Sequence, residues 1–176
     1  MSTVPTPKTQ VRVHIRWMIR RDMPEVLAIE HACFDFPWCE EEFLRVLRQR
    51  NCIGMVAELG EQVVGFMIYE LHKNKLQVLD FASHPEFRRL GVGQQMVAKL
   101  VGKLSSHRRT RIVLHVRETN LDAQFFYRNQ GFLALEVARE HFGDTGEDAY
   151  LLQYLFDESV VDEPVVTNRI AKQLGN

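Results

Sequence analysis

The stretch Leu76–Leu100, Leu-Gln-Val-Leu-Asp-Phe-Ala-Ser-His-Pro-Glu-Phe-Arg-Arg-Leu-Gly-Val-Gly-Gln-Gln-Met-Val-Ala-Lys-Leu, constrains this chain more than any other. An apolar run breaks at Pro85 and a basic turn follows. From Gly91-Val-Gly93 onward, Val92, Met96, Val97, Leu100, Val101 and Leu104 recur at helical spacing. The pattern predicts strand, turn and helix in that order. Glycines at a helix start let the backbone come close to a ligand, and the free amides there, with roughly half a positive charge from the helix dipole, favour an anion such as phosphate. Arg88 and Arg89 add side-chain charge at the same place.

Two common phosphate motifs are excluded. A Walker loop requires Lys and then Ser or Thr after its second glycine, whereas Gly93 is followed by Gln94 and Gln95. The dinucleotide fingerprint requires a third glycine where this chain has Met96.

A length of 176 residues, 45% of them hydrophobic, predicts one domain with a sizeable core. The formal charge of −1 exerts no global pull on nucleic acid or anionic membrane, so neither is expected as a partner, and any cationic site must be local. Cys33, Cys39 and Cys52 cannot all pair, show no metal-ligand spacing and follow no apolar secretory leader; a reducing cytoplasm and no metal are expected. No apolar run approaches the roughly 20 residues of a membrane helix.

Taken in order, residues 1–10 are polar and proline-broken, as a flexible leader would be. Val11, Val13, Ile15, Trp17 and Ile19 alternate with Arg12, His14 and Arg16, predicting a half-buried strand. Asp22 is the expected cap of a helix with Pro24 in its first turn. Phe34-Asp-Phe-Pro-Trp38 interrupts, and a second helix is expected from Glu40 to about Arg50, front-loaded with Glu40, Glu41 and Glu42. Strands over residues 53–59 and 62–71 are joined by Gly60-Glu61 as a hairpin, with a bulge expected at Gly65. After the Lys75–Ser106 unit, Arg111–Val116 reads as a strand buried on both faces and parallel to the one before it. Asn120–Asn129 is a short helix stopped by Gly131. Phe132–Ala138 and Tyr150–Phe156 are final strands linked by a loop from His141 to Asp148, and residues 157–176 form a polar tail.

Arg88-x-x-Gly91-x-Gly93 resembles the (Gln/Arg)-x-x-Gly-x-(Gly/Ala) pyrophosphate loop of the GNAT superfamily of acyl-CoA-dependent N-acetyltransferases. Phe36-Pro-Trp38, Leu114–Asn120 with Ala123, Tyr127, Gly131 and Phe132, and Gly146–Ala149 make the chain similar to the RimI group within it, which acetylates ribosomal-protein N-termini, and to eukaryotic N-terminal acetyltransferase subunits. The resemblance covers residues 14–156 and implies an α+β, three-layer fold: a mixed, mostly antiparallel sheet that splays at a parallel pair, with helices on both faces. The implied domain is 11–156.

The resemblance also implies a site. Backbone groups of Phe81, Ala82 and Ser83 would take the pantetheine of acetyl-CoA like an added strand, amides of Arg89, Leu90, Gly91, Val92, Gly93 and Gln94 would seat its diphosphate, and Arg88 opens the same coenzyme loop. His115 stands where RimI proteins have a glutamate and many eukaryotic relatives a histidine. It is either the base that takes the proton of the attacking amine or a strand histidine satisfied by a carbonyl. Tyr127 is either the acid that protonates the leaving thiolate or a packed aromatic. Asn120 bonds pantetheine, caps its helix, or does both. Phe36, Trp38, His141 and Phe142 would wall the groove that receives a peptide N-terminus. His141-Phe142 replaces the relatives' Tyr-Tyr pair and leaves two hydroxyls missing, so substrate choice stays open. The expected activity is acetyl transfer from acetyl-CoA to the α-amine of a protein or peptide, with a small amine, an internal lysine, or a non-catalytic acyl-CoA-binding role as alternatives.

Overall fold

A computed structural model describes residues 9–160. Its strands are β1 (His14–Trp17), β2 (Cys52–Leu59), β3 (Gln62–Leu71), β4 (Lys75–Ser83), β5 (Arg111–Arg117), β6 (Leu133–Phe142) and β7 (Glu147–Leu155); its helices are α1 (Met23–Cys33), α2 (Glu40–Leu47), α3 (Val92–Val101) and α4 (Leu121–Asn129). The expected element order is met. The leader through residue 8 and the tail from residue 161 lie outside the described residues.

The strands form one sheet in the order β1-β2-β3-β4-β5-β7-β6, antiparallel at every pairing except β4 with β5. A strand–helix–strand unit spans that one parallel junction, because parallel neighbours need a crossover. Helices cover both faces. On one side Val92, Met96, Val97 and Leu100 of α3 and Tyr127 of α4 pack with Leu76, Ile112 and Leu114. On the other, Val26 and Ile29 of α1 and Phe43 and Val46 of α2 pack on Val56, Phe66 and Ile68. Central β3 is buried from Val63 to Tyr69, which is why its sequence is apolar without alternation.

Two irregularities of register aim side chains. Ala57 pairs with Gly65 and Glu58 with Val63, so the expected bulge is present, with Val64 as its extra residue. In β4, Ile68 pairs with Asp80 and Tyr69 with Val78, which leaves Leu79 extra. That second bulge re-phases the strand. Val78 packs on the α3 side, Leu79 and Ala82 on the α1 side, and Phe81 again on the α3 side.

Several local expectations are corrected. The first strand is confined to His14–Trp17, and Trp17 and Ile19 are exposed, because the chain leaves the sheet after Trp17 pairs with Met55. Asp22 does not cap α1 with its side chain. Its carboxylate turns back to accept from the Ile19 amide (2.8 Å) and from Arg16 (2.7 and 2.8 Å). Helix α2 stops at Leu47, where Gln49 N–H tightens the last turn onto Val46 O (3.0 Å). The expected loop 141–148 narrows to a turn at residues 143–146: β6 and β7 extend to Phe142 and Glu147, which pair, with a register shift after Ala138.

Candidate active site

The parallel junction is short. β4 and β5 pair only at Lys75 with Arg111, Leu76 with Ile112 and Gln77 with Val113. Beyond it β4 stays paired with β3 as far as Ser83 with Gly65, and β5 stays paired with β7 as far as Arg117 with Ala149. The two strands are thus each held from outside while they part from one another. Among the described residues, no strand pairs with the β5-facing edge of β4 after Gln77, so Phe81, Ala82 and Ser83 offer a strand edge to an extended ligand.

At the end of that edge the chain turns through Pro85–Phe87 into α3. Arg89 and Gly91 take positive φ (63° and 83°), and Gly91 is the N-terminal boundary residue of the helix. Left-handed residues in a turn before a helix are the kind of backbone from which anion-binding nests are built, and a helix start favours an anion. Arg88 N–H donates to Pro85 O (3.4 Å) and so is not among the amides left open there. A Cβ on Gly93 would meet the Phe126 ring at 3.1 Å, so only a glycine lets α4 approach the helix start this closely.

Two side-chain details differ from the sequence reading. Arg88 is not a free charge: its Nη2 lies 3.2 Å from Cys33 Sγ on α1. The segment before β1 is not loose from Gln10 onward. Val11 N–H donates to Leu90 O (3.0 Å), and Gln95 Nε2 donates to Val11 O (2.7 Å) and Gly91 O (3.0 Å) while Gln95 Oε1 accepts from Val13 N–H (3.2 Å). Gln95 therefore clamps the helix start, a role whose sequence signal was only a polar residue facing back in the first turn.

His115 and Tyr127 reach the parting of the strands from opposite faces. Ile112, Leu114 and Val116 of β5 point into the α3 core, so His115 and Arg117 point to the α1 side. Tyr127 lies in the α3-side core, 7% exposed, ringed by Phe81, Phe126 and Phe132 at centroid distances of 6.2, 5.1 and 5.2 Å. Burial, with a smaller push from the Asp80 charge, drives its pKa well above the ordinary phenol value, so the hydroxyl keeps its proton. His115 is half-buried and stacks on His141, centroids 4.1 Å apart. Burial first and the His141 charge second lower its pKa. Among the described residues its ring nitrogens have no hydrogen-bond partner, so the carbonyl-satisfied alternative is not what the structure contains. Asn120 caps α4, its Oδ1 accepting from Ala123 N–H at 3.1 Å.

The groove residues divide. Arg117 bonds Asp144 through both nitrogens (3.1 and 2.5 Å) and reaches Glu147 (3.2 Å), which pins the β6–β7 hairpin. Its guanidinium sits 3.9 Å from the Phe142 ring centre and 5.5 Å from that of Phe36, so one cation joins the hairpin to the α1–α2 loop. Phe36, His141 and Phe142 thus meet around β5. Trp38 instead turns inward, edge-on to Phe43 at 5.3 Å. Among the described residues no three His, Cys, Asp or Glu side chains gather to hold a metal, the three cysteines are free thiols, and no helix is long and apolar enough to cross a membrane.

The comparisons with known proteins agree with this geometry. The ribosomal protein bS18-alanine N-acetyltransferase of Escherichia coli is 25% identical over 133 residues, spanning 74% of this chain and 89% of that protein. The crystal structure of Ard1 from Thermoplasma volcanium superposes with a TM-score of 0.76 at 24% identity, covering 84% of this chain and all of that one. Arabidopsis thaliana NAA60, solved in complex with acetyl-CoA, gives a TM-score of 0.72 at 16% identity, covering 82% of this chain and 100% of that one. Residues 23–132 match the model of the acetyltransferase (GNAT) family, and with most of its length inside that match the chain belongs to this family.

Proposed function

We propose that the chain transfers an acetyl group from acetyl-CoA to the N-terminal α-amine of a protein, by direct attack while both substrates are bound. One observation carries the reading: a neutral imidazole and a protonated phenol approach one gap in the sheet from its two faces. The nest before α3 and the free β4 edge suit acetyl-CoA on the side of Tyr127. The aromatic groove around Phe36, His141 and Phe142 suits an extended peptide on the side of His115, and aromatics give such a groove area at low entropy cost.

His115 takes the proton of the attacking amine, whose nitrogen bonds the thioester carbonyl carbon. An amide of the Phe81–Ser83 edge holds the oxyanion; a donor of this kind is worth on the order of 100-fold in rate. As the C–S bond breaks, the Tyr127 hydroxyl gives its proton to the departing sulfur, and both side chains recover by exchange with solvent. Asn120 caps α4 with its Oδ1 and keeps its NH2 for the pantetheine arm. The similarity to bS18-alanine acetyltransferases supports a ribosomal-protein terminus as acceptor, and three free thiols fit a cytoplasmic setting.

The test is turnover by purified protein against N-terminal peptides, free amines and internal-lysine peptides, paired with N-terminal acetylation measured across the proteome with and without the protein. The reading requires N-terminal peptides to be preferred. Equal or better use of free amines or lysines overturns the acceptor class, and tight coenzyme binding with no turnover overturns the activity.

A further inference from the structure

Glu30 of α1 and Asp80 of β4 take no part in the transfer just described, and both are shut from solvent, at 2% and 9% exposure. Burying one ionised carboxylate is costly, and burying two in contact costs more. The Leu79 bulge turns Asp80 toward α1, which packs on β4 there, so the two carboxyls face one another. Glu30 Oε1 accepts from the Trp38 amide at 2.8 Å, but Glu30 Oε2 and Asp80 Oδ2 have no donor among the described residues. Two acceptors face to face are joined only by a proton.

The placement gives this contact a consequence. The Leu79 bulge turns Asp80 toward α1 at the point where β4 has left β5, and Glu30 holds the end of the Phe36–Trp38 loop through the Trp38 amide. The titratable and charged groups facing the pair are His31 and Cys33 on α1, Glu42 on α2, Arg88 behind Cys33, and Tyr127 on α4. None is a lysine or arginine bonded to either carboxyl. Burial raises both pKa values, and the Glu30 charge adds to the rise at Asp80.

We propose that Glu30 and Asp80 share a single proton and are positioning residues for the acceptor, bonding α1 to β4 beside the gap and thereby fixing the Phe36–Trp38 loop against which a peptide N-terminus lies. The part concerning the acceptor rests on the function proposed above; the shared proton does not. A carboxyl whose folded pKa is raised stabilises the fold below its unfolded value and loses that contribution as pH rises through the folded one. The loop therefore loosens as pH rises through the folded value, when the shared proton leaves and two anions are left in contact.

The chain has two tryptophans, so a Trp17→Phe background makes fluorescence a report on Trp38. In that background Trp38 emission titrates as the shared proton leaves. After Asp80→Asn, whose amide donates permanently to Glu30, that transition is absent. Peptide KM rises over the same pH range in the parent and stays flat in Asp80→Asn, whereas Asp80→Ala raises peptide KM severalfold at every pH, with KM moving more than kcat. A transition that persists unaltered in Asp80→Asn overturns the shared proton. An unchanged peptide KM in Asp80→Ala overturns the positioning role. Protein that titrates as described yet acetylates no N-terminal peptide supports the shared proton and overturns the functional reading.

Discussion

The imidazole of His115 lies face to face with that of His141, ring centroids 4.1 Å apart and planes 14° from parallel. Partial burial disfavours the charged form, and two imidazolium ions at that spacing would repel each other, so both effects keep His115 neutral. A neutral imidazole has a lone pair free for a proton. The substrate brings that proton, since an α-amine with a reference pKa near 8 arrives largely protonated at neutral pH. His141 comes from the β6–β7 hairpin and His115 from β5, so the pairing of the hairpin itself brings the two rings together.

The first prediction is a pH profile. The acid limb of kcat/KM reports His115 in the free enzyme and lies below the ordinary histidine value. His141→Ala removes the neighbouring charge and opens the site to water; both changes raise the His115 pKa, so the limb moves to higher pH. His115→Ala removes the limb and lowers kcat by about 10²–10⁴-fold. A limb that survives His115→Ala places the base elsewhere, for instance on a water held by the strand.

Tyr127→Phe separates chemistry from packing. Phenylalanine fills the same space among Phe81, Phe126 and Phe132, and volume-conserving exchanges cost under about 1.5 kcal/mol. The melting temperature and the affinity for acetyl-CoA should change little. The release of free thiol should slow by roughly 10²–10⁴-fold. Retention of the parental rate removes the acid role and leaves Tyr127 as a core aromatic.

The fold was legible because its central unit carries three independent periodicities: an apolar run before Pro85, glycines at 91 and 93, and a helical stripe through Leu104. The candidate pair was legible only through its resemblance to a family, since His115 is one histidine of seven and Tyr127 one tyrosine of four. The geometry then supplied what spacing does not hold. Asp22 looks like a helix cap in sequence, yet Arg16 across the turn binds both its oxygens and draws it back to β1. Asp80 sits in a run whose simple alternation puts it beside Val78 on the α3 face; the Leu79 bulge, set by pairing with β3, turns it to α1. The ladder beyond Ala138, which carries His141 into β6, depends on a register shift that local propensity does not encode. Each miss is a specific side-chain bond or strand register overriding local propensity.

Arg117 gives a test of the groove. Its bonds to Asp144 and Glu147 are partly exposed, so the fold as a whole depends on them little. The hairpin and the Phe36 loop depend on them more, because the same guanidinium lies against both Phe142 and Phe36. Arg117→Met keeps the side-chain length and removes the charge. It should raise peptide KM severalfold, leave acetyl-CoA affinity unaltered, and make the parental peptide KM more salt-sensitive than the variant's. Steady-state kinetics with each substrate varied in turn checks all three, and a rise in acetyl-CoA KM instead would assign Arg117 to the coenzyme side.

Gly91→Val addresses the anion nest directly. Gly91 has φ of 83°, a left-handed backbone that costs a residue with a side chain about 1–2 kcal/mol, and more when it is β-branched. The added Cβ would meet only the Gln10 side chain, at 3.3 Å, which can move aside, so crowding is not the obstacle. The strain is relieved instead by rotating φ away from the left-handed region, which swings the neighbouring N–H groups out of the shared concavity. Coenzyme A binding, measured by calorimetry, should weaken by at least about tenfold, the equivalent of roughly 1.4 kcal/mol. Dephosphorylated pantetheine, which has no diphosphate to seat, should lose nothing from the same substitution. Equal losses for both ligands would mean that the change acts through the β4 edge, and an undiminished affinity for coenzyme A would mean that the diphosphate does not rest on these amides.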